Sequence, residues 1–194
     1  GKKSCLILQN PEDRSVFLSA KVMHPDKIRL ISGAGVDTNF FLPKSLPKGI
    51  PLVVLPARML WDKGVGEFVD VARVLNVWGI NARFALVGTT DPHNPESVPD
   101  EQLNHWVEEG VIEWWGWRED MSEVYRQATI VCLPTYREGL PKSLLEAASC
   151  GRPIVAYDVP GCREIVLDGK NGFLVPFKDG QALHKIIRKL LEDS

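Results

Sequence analysis

The sequence predicts an α/β fold in which a parallel sheet carries helices on both faces. Short continuous apolar runs recur along the chain, such as Leu52-Val53-Val54-Leu55 and Phe84-Ala85-Leu86-Val87. Such runs belong to strands covered on both sides. Segments with apolar residues at helical spacing stand between them. Strand and helix in regular alternation build a Rossmann-like sheet, whose ligands sit beyond the carboxyl ends of the strands.

Each element can be read in order. Cys5 to Leu8 is a short strand, and Lys27 to Ile31 alternates with period two. Pro43 to Pro51 is punctuated by proline and glycine and reads as a linker. After the strand at Leu52–Leu55, Phe68, Val71, Ala72 and Leu75 recur at i, i+3, i+4 and i+7, which marks a helix. The strand at Phe84–Val87 stops at Gly88, and the loop Thr89 to Pro99 holds three prolines. Leu103, Trp106 and Val107 predict a short helix, Val111 to Trp114 a strand, and Met121, Val124 and Tyr125 another helix. Thr129 to Leu133 is a strand ended by Pro134, and Leu140 to Cys150 a helix stopped by Gly151. Strands at Ile154–Tyr157 and Phe173–Val175 follow. The last helix shows the stripe Leu183, Ile186, Ile187, Leu190 and Leu191.

Composition narrows the function. The chain has 194 residues, 23 Lys plus Arg against 25 Asp plus Glu, and a net charge of −2. That balance excludes a broadly basic nucleic-acid binder and leaves room for a local cationic pocket. At 44% hydrophobic residues the chain is rich enough for a core. No apolar run is long enough to span a membrane, and no export leader is visible. The start Gly1-Lys2-Lys3 lacks methionine, which predicts a processed or truncated beginning. Cys5, Cys132, Cys150 and Cys162 form no C-x-x-C pair and read as buried reduced thiols of a cytoplasmic protein. The four histidines lack ligand spacing, so no metal is expected. No G-x-S-x-G elbow is present, and Gly33-Ala34-Gly35 does not continue as a G-x-G-x-x-G dinucleotide loop.

Four loops could carry chemistry. In Ala57 to Gly64, Arg58 leaves a strand end and Lys63 stands at a helix start. Two cations beside free helix N–H groups make an anion cradle, although this loop read alone favours two solvated surface charges. In Glu138-Gly139-Leu140-Pro141-Lys142-Ser143-Leu144-Leu145-Glu146, two carboxylates flank a helix start. With Glu146 about two turns in, they stand about 12 Å apart along the axis. That is too far for a glycosidase acid/base pair. It suits the two ends of an extended ligand with phosphates between them. Glu113-Trp114-Trp115-Gly116-Trp117-Arg118 places Trp114 and Trp115 in packing, and Trp117 where a flat base could lie. Pro160-Gly161-Cys162-Arg163-Glu164 is a turn opening a helix.

Together these residues resemble the C-terminal, donor-binding half of a retaining family-four glycosyltransferase, whose fold is called GT-B. The resemblance runs from about Ile31 to Leu191. Glu138 to Glu146 is similar to that family's E-x7-E motif. Arg58 with Lys63, Gly88, Pro160 to Glu164 and Asn171 to Val175 follow in the expected places. The resemblance implies that Glu138, Arg58 and Lys63 are catalytic, with Arg58 and Lys63 on the donor diphosphate. It implies that Glu146 takes the ribose, that Gly139, Leu140 and Lys142 offer backbone N–H groups, and that Gly88 borders the donor. The stretch Gly116-Trp117-Arg118 would hold the base. Pro141 stands where the family often has glycine and removes one N–H.

The wording also resembles bacterial members that build lipopolysaccharide and surface polysaccharides. That implies a UDP-linked hexose or N-acetylhexosamine as substrate, no cofactor, and a glycan or lipid-linked acceptor. It also implies a peripheral place at the inner face of the cytoplasmic membrane. Residues 1–50 would be the tail of an N-terminal acceptor domain plus linker, and 51–194 the donor domain. The fragment alone would turn over little. Two other readings are a sugar-nucleotide epimerase of the same fold and a noncatalytic nucleotide-binding module.

Overall fold

Two parallel sheets organise the computed structural model, which describes residues 4–193. The Gly1-Lys2-Lys3 start and Ser194 lie outside the described residues. The smaller sheet pairs β1 (Leu6–Leu8) with β2 (Ile28–Leu30), joined through α1 (Pro11–Ser19). Asn10 caps α1 and Pro11 opens it, the position where a missing N–H costs nothing. Residues 43–51 form no helix or strand, as proline and glycine predict.

The larger sheet is built from β3 (Leu52–Pro56), β4 (Arg83–Val87), β5 (Glu113–Trp114), β6 (Ile130–Leu133), β7 (Ile154–Tyr157) and β8 (Gly172–Val175). Its order is β5-β4-β3-β6-β7-β8, and every pairing is parallel. Each residue of β3, β6 and β7 is buried, which explains their continuous apolar runs. The helices between and after these strands are α2 (Val65–Val77), α3 (Asp100–Glu108), α4 (Met121–Gln127), α5 (Lys142–Ser149), α6 (Pro160–Arg163) and α7 (Gly180–Glu192). α7 buries Leu183, Ile187 and Leu191 and packs beside α2, while α4 packs beside α5.

β3 and β6 are neighbours, yet the chain leaves them in opposite directions, toward β4 and toward β7. Right-handed crossovers then place α2 and α5 on opposite faces. The loops that follow β3 and β6 therefore border the crevice where such sheets bind ligands. These two loops carry Arg58 with Lys63, and Glu138.

Three expectations need correction. α5 begins at Lys142, not Leu140, with Pro141 as its cap residue. Glu146 consequently lies one turn into the helix, and the 139–140 backbone belongs to the loop. β5 has only two residues, because Val111 and Ile112 approach the sheet without pairing. Cys5 is exposed, whereas Cys132, Cys150 and Cys162 are buried as free thiols.

Two irregular segments are well anchored. Residues 89–99 contain no helix or strand, but Met59 N–H donates to Thr89 O (2.9 Å), Trp61 N–H to Glu96 O (2.8 Å) and Val98 N–H to Met59 O (2.9 Å). The linker is held by Arg152, which is 2% exposed. Its guanidinium donates to Cys150 O and Ala128 O at 3.1 Å each, to Ser45 O at 3.5 Å and to Lys44 O. Burial pushes the Arg152 pKa below its usual value.

Candidate functional site

Backbone N–H groups are open where the loop after β6 runs into α5. Pro141 O accepts from Leu144 (3.1 Å) and Leu145 (3.3 Å), the first bonds of α5. The N–H groups of Lys142 and Ser143 are left open, as in any first helical turn. Among the described residues, those of Gly139 and Leu140 also lack partners. Pro141 removes one donor without closing the row, because the helix starts directly after it. Lysine and arginine beside open N–H groups attract an anion.

Lys63 and Glu138 are brought together. Lys63 ends a 3₁₀ turn, Trp61–Lys63, and Gly64 follows at φ 75°, a left-handed conformation suited to glycine. Lys63 Nζ donates to Glu138 Oε1 at 2.7 Å, with the two side chains only 15% and 18% exposed. Thr135, fully buried, adds its hydroxyl to the same Oε1 at 3.3 Å and lies 3.2 Å from Asp62 O. One carboxylate oxygen is thus fixed, while Oε2 has no hydrogen-bond partner among the described residues.

Arg58 stands apart from that pair. Its Nη1 donates to Asp91 Oδ2 at 2.9 Å, and its side chain is 60% exposed. It lines a cleft of about 230 Å³ with Gly88, Trp117, Arg118, Ser143 and Glu146. Five expected donor residues, Arg58, Gly88, Trp117, Arg118 and Glu146, therefore share one cleft. Gly88 O accepts Trp114 Nε1 (2.9 Å), and Gly88 N–H donates to Gly116 O (2.8 Å), tying two loops of the cleft together. Trp117 is exposed. The Arg118 guanidinium is engaged by Asp120 through two bonds of 2.7 and 2.6 Å and stacks over Trp115. That pairing raises the Arg118 pKa, so backbone groups and the Trp117 ring are what this stretch offers a ligand.

Glu146 is 8% exposed. Tyr125 Oη donates to its Oε2 at 3.0 Å, and Lys142 Nζ lies 3.4 Å from its Oε1. Burial, reinforced by the Glu146 charge, raises the Tyr125 pKa well above its usual value. The phenol stays a donor at neutral pH. The Lys142 side chain turns to Glu146, not back to the loop.

A larger hollow of about 350 Å³ includes Gly151, Arg152, Asn171 and Phe173. Its Arg152 is fully engaged by backbone carbonyls, so it presents no comparable chemistry. Among the described residues no cluster of three or more His, Cys, Asp or Glu could hold a metal. No described helix is long and apolar enough to cross a membrane.

Residues 50–193 match the family model described as glycosyl transferases group 1. The chain belongs to this family. This group 1 glycosyl transferase chain is 34% identical over 195 residues to N,N'-diacetylbacillosaminyl-diphospho-undecaprenol alpha-1,3-N-acetylgalactosaminyltransferase of Campylobacter jejuni. That alignment takes in 94% of this chain and 50% of the relative. Sucrose-phosphate synthase of Thermosynechococcus elongatus superposes with TM-score 0.81 at 26% identity, over 97% of this chain and 49% of that one. HepE of Anabaena in complex with UDP-glucose superposes with TM-score 0.82 at 22% identity, over 98% and 54%. The fold is that of one half of a GT-B glycosyltransferase. The chain spans about half the length of the curated relatives it matches.

Several site residues escape a reading by motif. Tyr125 and Met121 mark only a helix in the sequence, and Ser143 is unremarked within the E-x7-E run. Thr135 and Tyr136 lie just before Glu138. Tyr136 Oη bonds to Glu67 and its N–H donates to Asp62 O (2.8 Å), which ties the Glu138 loop to the start of α2. Burial, with Glu67 beside it, pushes the Tyr136 phenol up to about 12. Gly161 explains the Pro160–Glu164 turn: a Cβ there would stand 2.6 Å from Glu138 O and 2.7 Å from Gly139 O. Only glycine lets this turn support the site loop so closely.

Proposed function

We propose that this chain is the donor-binding half of a retaining glycosyltransferase. The donor is a UDP-linked hexose or N-acetylhexosamine. The acceptor is a lipid-linked sugar of lipopolysaccharide or surface-polysaccharide synthesis. The observation that carries this reading is the row of open N–H groups, from Gly139 to Ser143, between Glu138 and Glu146 at the switch point of the sheet. The names of relatives support it: one is an N-acetylgalactosaminyltransferase and another a UDP-Gal:alpha-D-GlcNAc-diphosphoundecaprenol alpha-1,3-galactosyltransferase of Escherichia coli.

In this reading Glu146 accepts the ribose hydroxyls, which replace the Lys142 ammonium at Oε1. The base lies along Gly116 to Arg118. The diphosphate sits on the N–H groups of Leu140, Lys142 and Ser143, with Lys63 and Arg58 alongside. As the bond from the sugar C1 to the diphosphate oxygen breaks, negative charge grows on the leaving UDP. Fixed donors and cations stabilise that charge without reorganising. Glu138, held at Oε1 by Lys63 and Thr135, presents Oε2 to the donor sugar. No metal has a role in this scheme. The acceptor is bound mainly by an N-terminal domain, to which residues 1–50 contribute, and 51–194 form the donor domain. The full enzyme works in the cytoplasm, peripherally at the inner face of the membrane.

Calorimetric titration with UDP, GDP and NAD tests the reading. UDP should bind, and Glu146→Ala should weaken it. Silence with every nucleoside diphosphate would sink it, and a UDP-sugar converted by the protein alone would point to an epimerase.

A further inference from the structure

The segment Gln9-Asn10-Pro11-Glu12-Asp13 has no part in the donor scheme above, yet it lies against the loop that carries Glu138. Asn10 is fully buried. Its Oδ1 accepts the Asp13 N–H at 2.7 Å and so caps α1. Its Nδ2 donates to Asp13 Oδ2 at 2.9 Å and to Gly139 O at 2.9 Å, across 129 positions of sequence. Both sides of this segment are braced: Arg137 donates to Asp13 Oδ1 at 3.0 Å and Arg163 to Glu12 Oε1 at 2.6 Å. Gln9 closes over Gly139, and a Cβ on Gly139 would meet its side chain.

A cap needs only the oxygen of Asn10. The second bond has a different consequence. A peptide unit is planar and trans, so the Gly139 carbonyl and the Leu140 N–H point in opposite directions. Holding Gly139 O on Asn10 turns the Leu140 N–H away from α1 and leaves it open. We propose that Asn10 is a positioning residue for the donor site, one that presets the Gly139–Leu140 peptide so that the Leu140 N–H meets the β-phosphate. The inference rests on the donor reading above, and it makes the segment that contains α1 part of the donor site. Left free, that peptide could rotate and present its carbonyl, which repels phosphate.

The test compares UMP with UDP on the same 194-residue chain. UMP lacks the β-phosphate and reports the nucleoside end alone. Asn10→Asp keeps an oxygen for the cap, loses the donor to Gly139 O, and also exchanges the bond to Asp13 Oδ2 for a second carboxylate. A lost hydrogen bond to a charged group should weaken UDP about tenfold and leave UMP within about twofold. Equal losses for both ligands would show a merely structural residue, and unchanged UDP binding would also overturn the proposal. Where the original chain binds neither ligand, the donor reading falls and this inference with it. Should Asn10→Asp not fold, ¹⁵N-leucine labelling of the original chain decides. The Leu140 amide should shift with UDP and stay with UMP, and an amide unmoved by UDP would contradict the idea.

Discussion

Lys63 and Arg58 leave the same strand and serve the same proposed diphosphate, but they are held in opposite ways. Lys63 is largely buried, paired with Glu138 at 2.7 Å, and its carboxylate partner is fixed again by Thr135. Arg58 is 60% exposed, and its partner Asp91 sits on the proline-rich loop. The buried pair is ordered before any ligand arrives, while the exposed cation must exchange a carboxylate for a phosphate. Preorganised charge stabilises a transition state most, because nothing has to move during the reaction.

The largest effect is expected at the buried end. Lys63→Met keeps the aliphatic stem and strands Glu138, so unfolding in urea should show a loss of about 3 kcal/mol. UDP affinity should fall about 100-fold, since a charged donor is lost as well. Arg58→Met should alter stability by less than about 0.5 kcal/mol, because an exposed pair contributes little. Its UDP affinity should fall about tenfold. Equal destabilisation by the two variants would break the distinction.

A smaller effect is expected at the nucleoside end, which resembles the buried pair in kind. Tyr125→Phe removes the phenol that holds Glu146 Oε2. It should cost about 1–2 kcal/mol and weaken UMP and UDP alike. The mildest effect should come from pH. Burial pushes the Cys162 thiol from 9.0 up to about 12 and raises Tyr125 as well. A raised folded pKa means that the unfolded chain releases its proton first. Stability from these groups is therefore whole below about pH 9 and declines as pH rises toward 12. In a Cys5→Ser variant, which lacks the exposed thiol, thiolate absorbance should appear together with unfolding and not ahead of it.

Most of the sheet was legible because β3, β6 and β7 are buried on both faces, so their apolar runs are unbroken. β5 was harder, since Val111 and Ile112 are apolar without pairing. The E-x7-E carboxylates and both cations stand out only through the family resemblance, because type and spacing alone fit solvated surface charges as well. The start of α5 was not legible, because Leu140 fits a helical stripe while its backbone is held elsewhere. What holds it, Asn10 on Gly139 O and the approach of Gly33 to the Leu140 side chain, comes from sequence more than 100 positions away. Local periodicity carries no trace of such a contact. Tyr125 likewise marks only a helix in the sequence, since its phenol finds Glu146 only once α4 meets α5.

The cysteines offer an experimental handle. Cys132, Cys150 and Cys162 are buried, while Cys5 is exposed at the entrance to β1, four residues before Gln9. A maleimide dye added to the native chain would react selectively at Cys5 and spare the others. The label would sit just before β1, a few residues from Asn10, the α1 cap that touches the donor loop. Its fluorescence could then follow, without any engineered residue, whether a nucleotide at one end of the molecule is felt at the other.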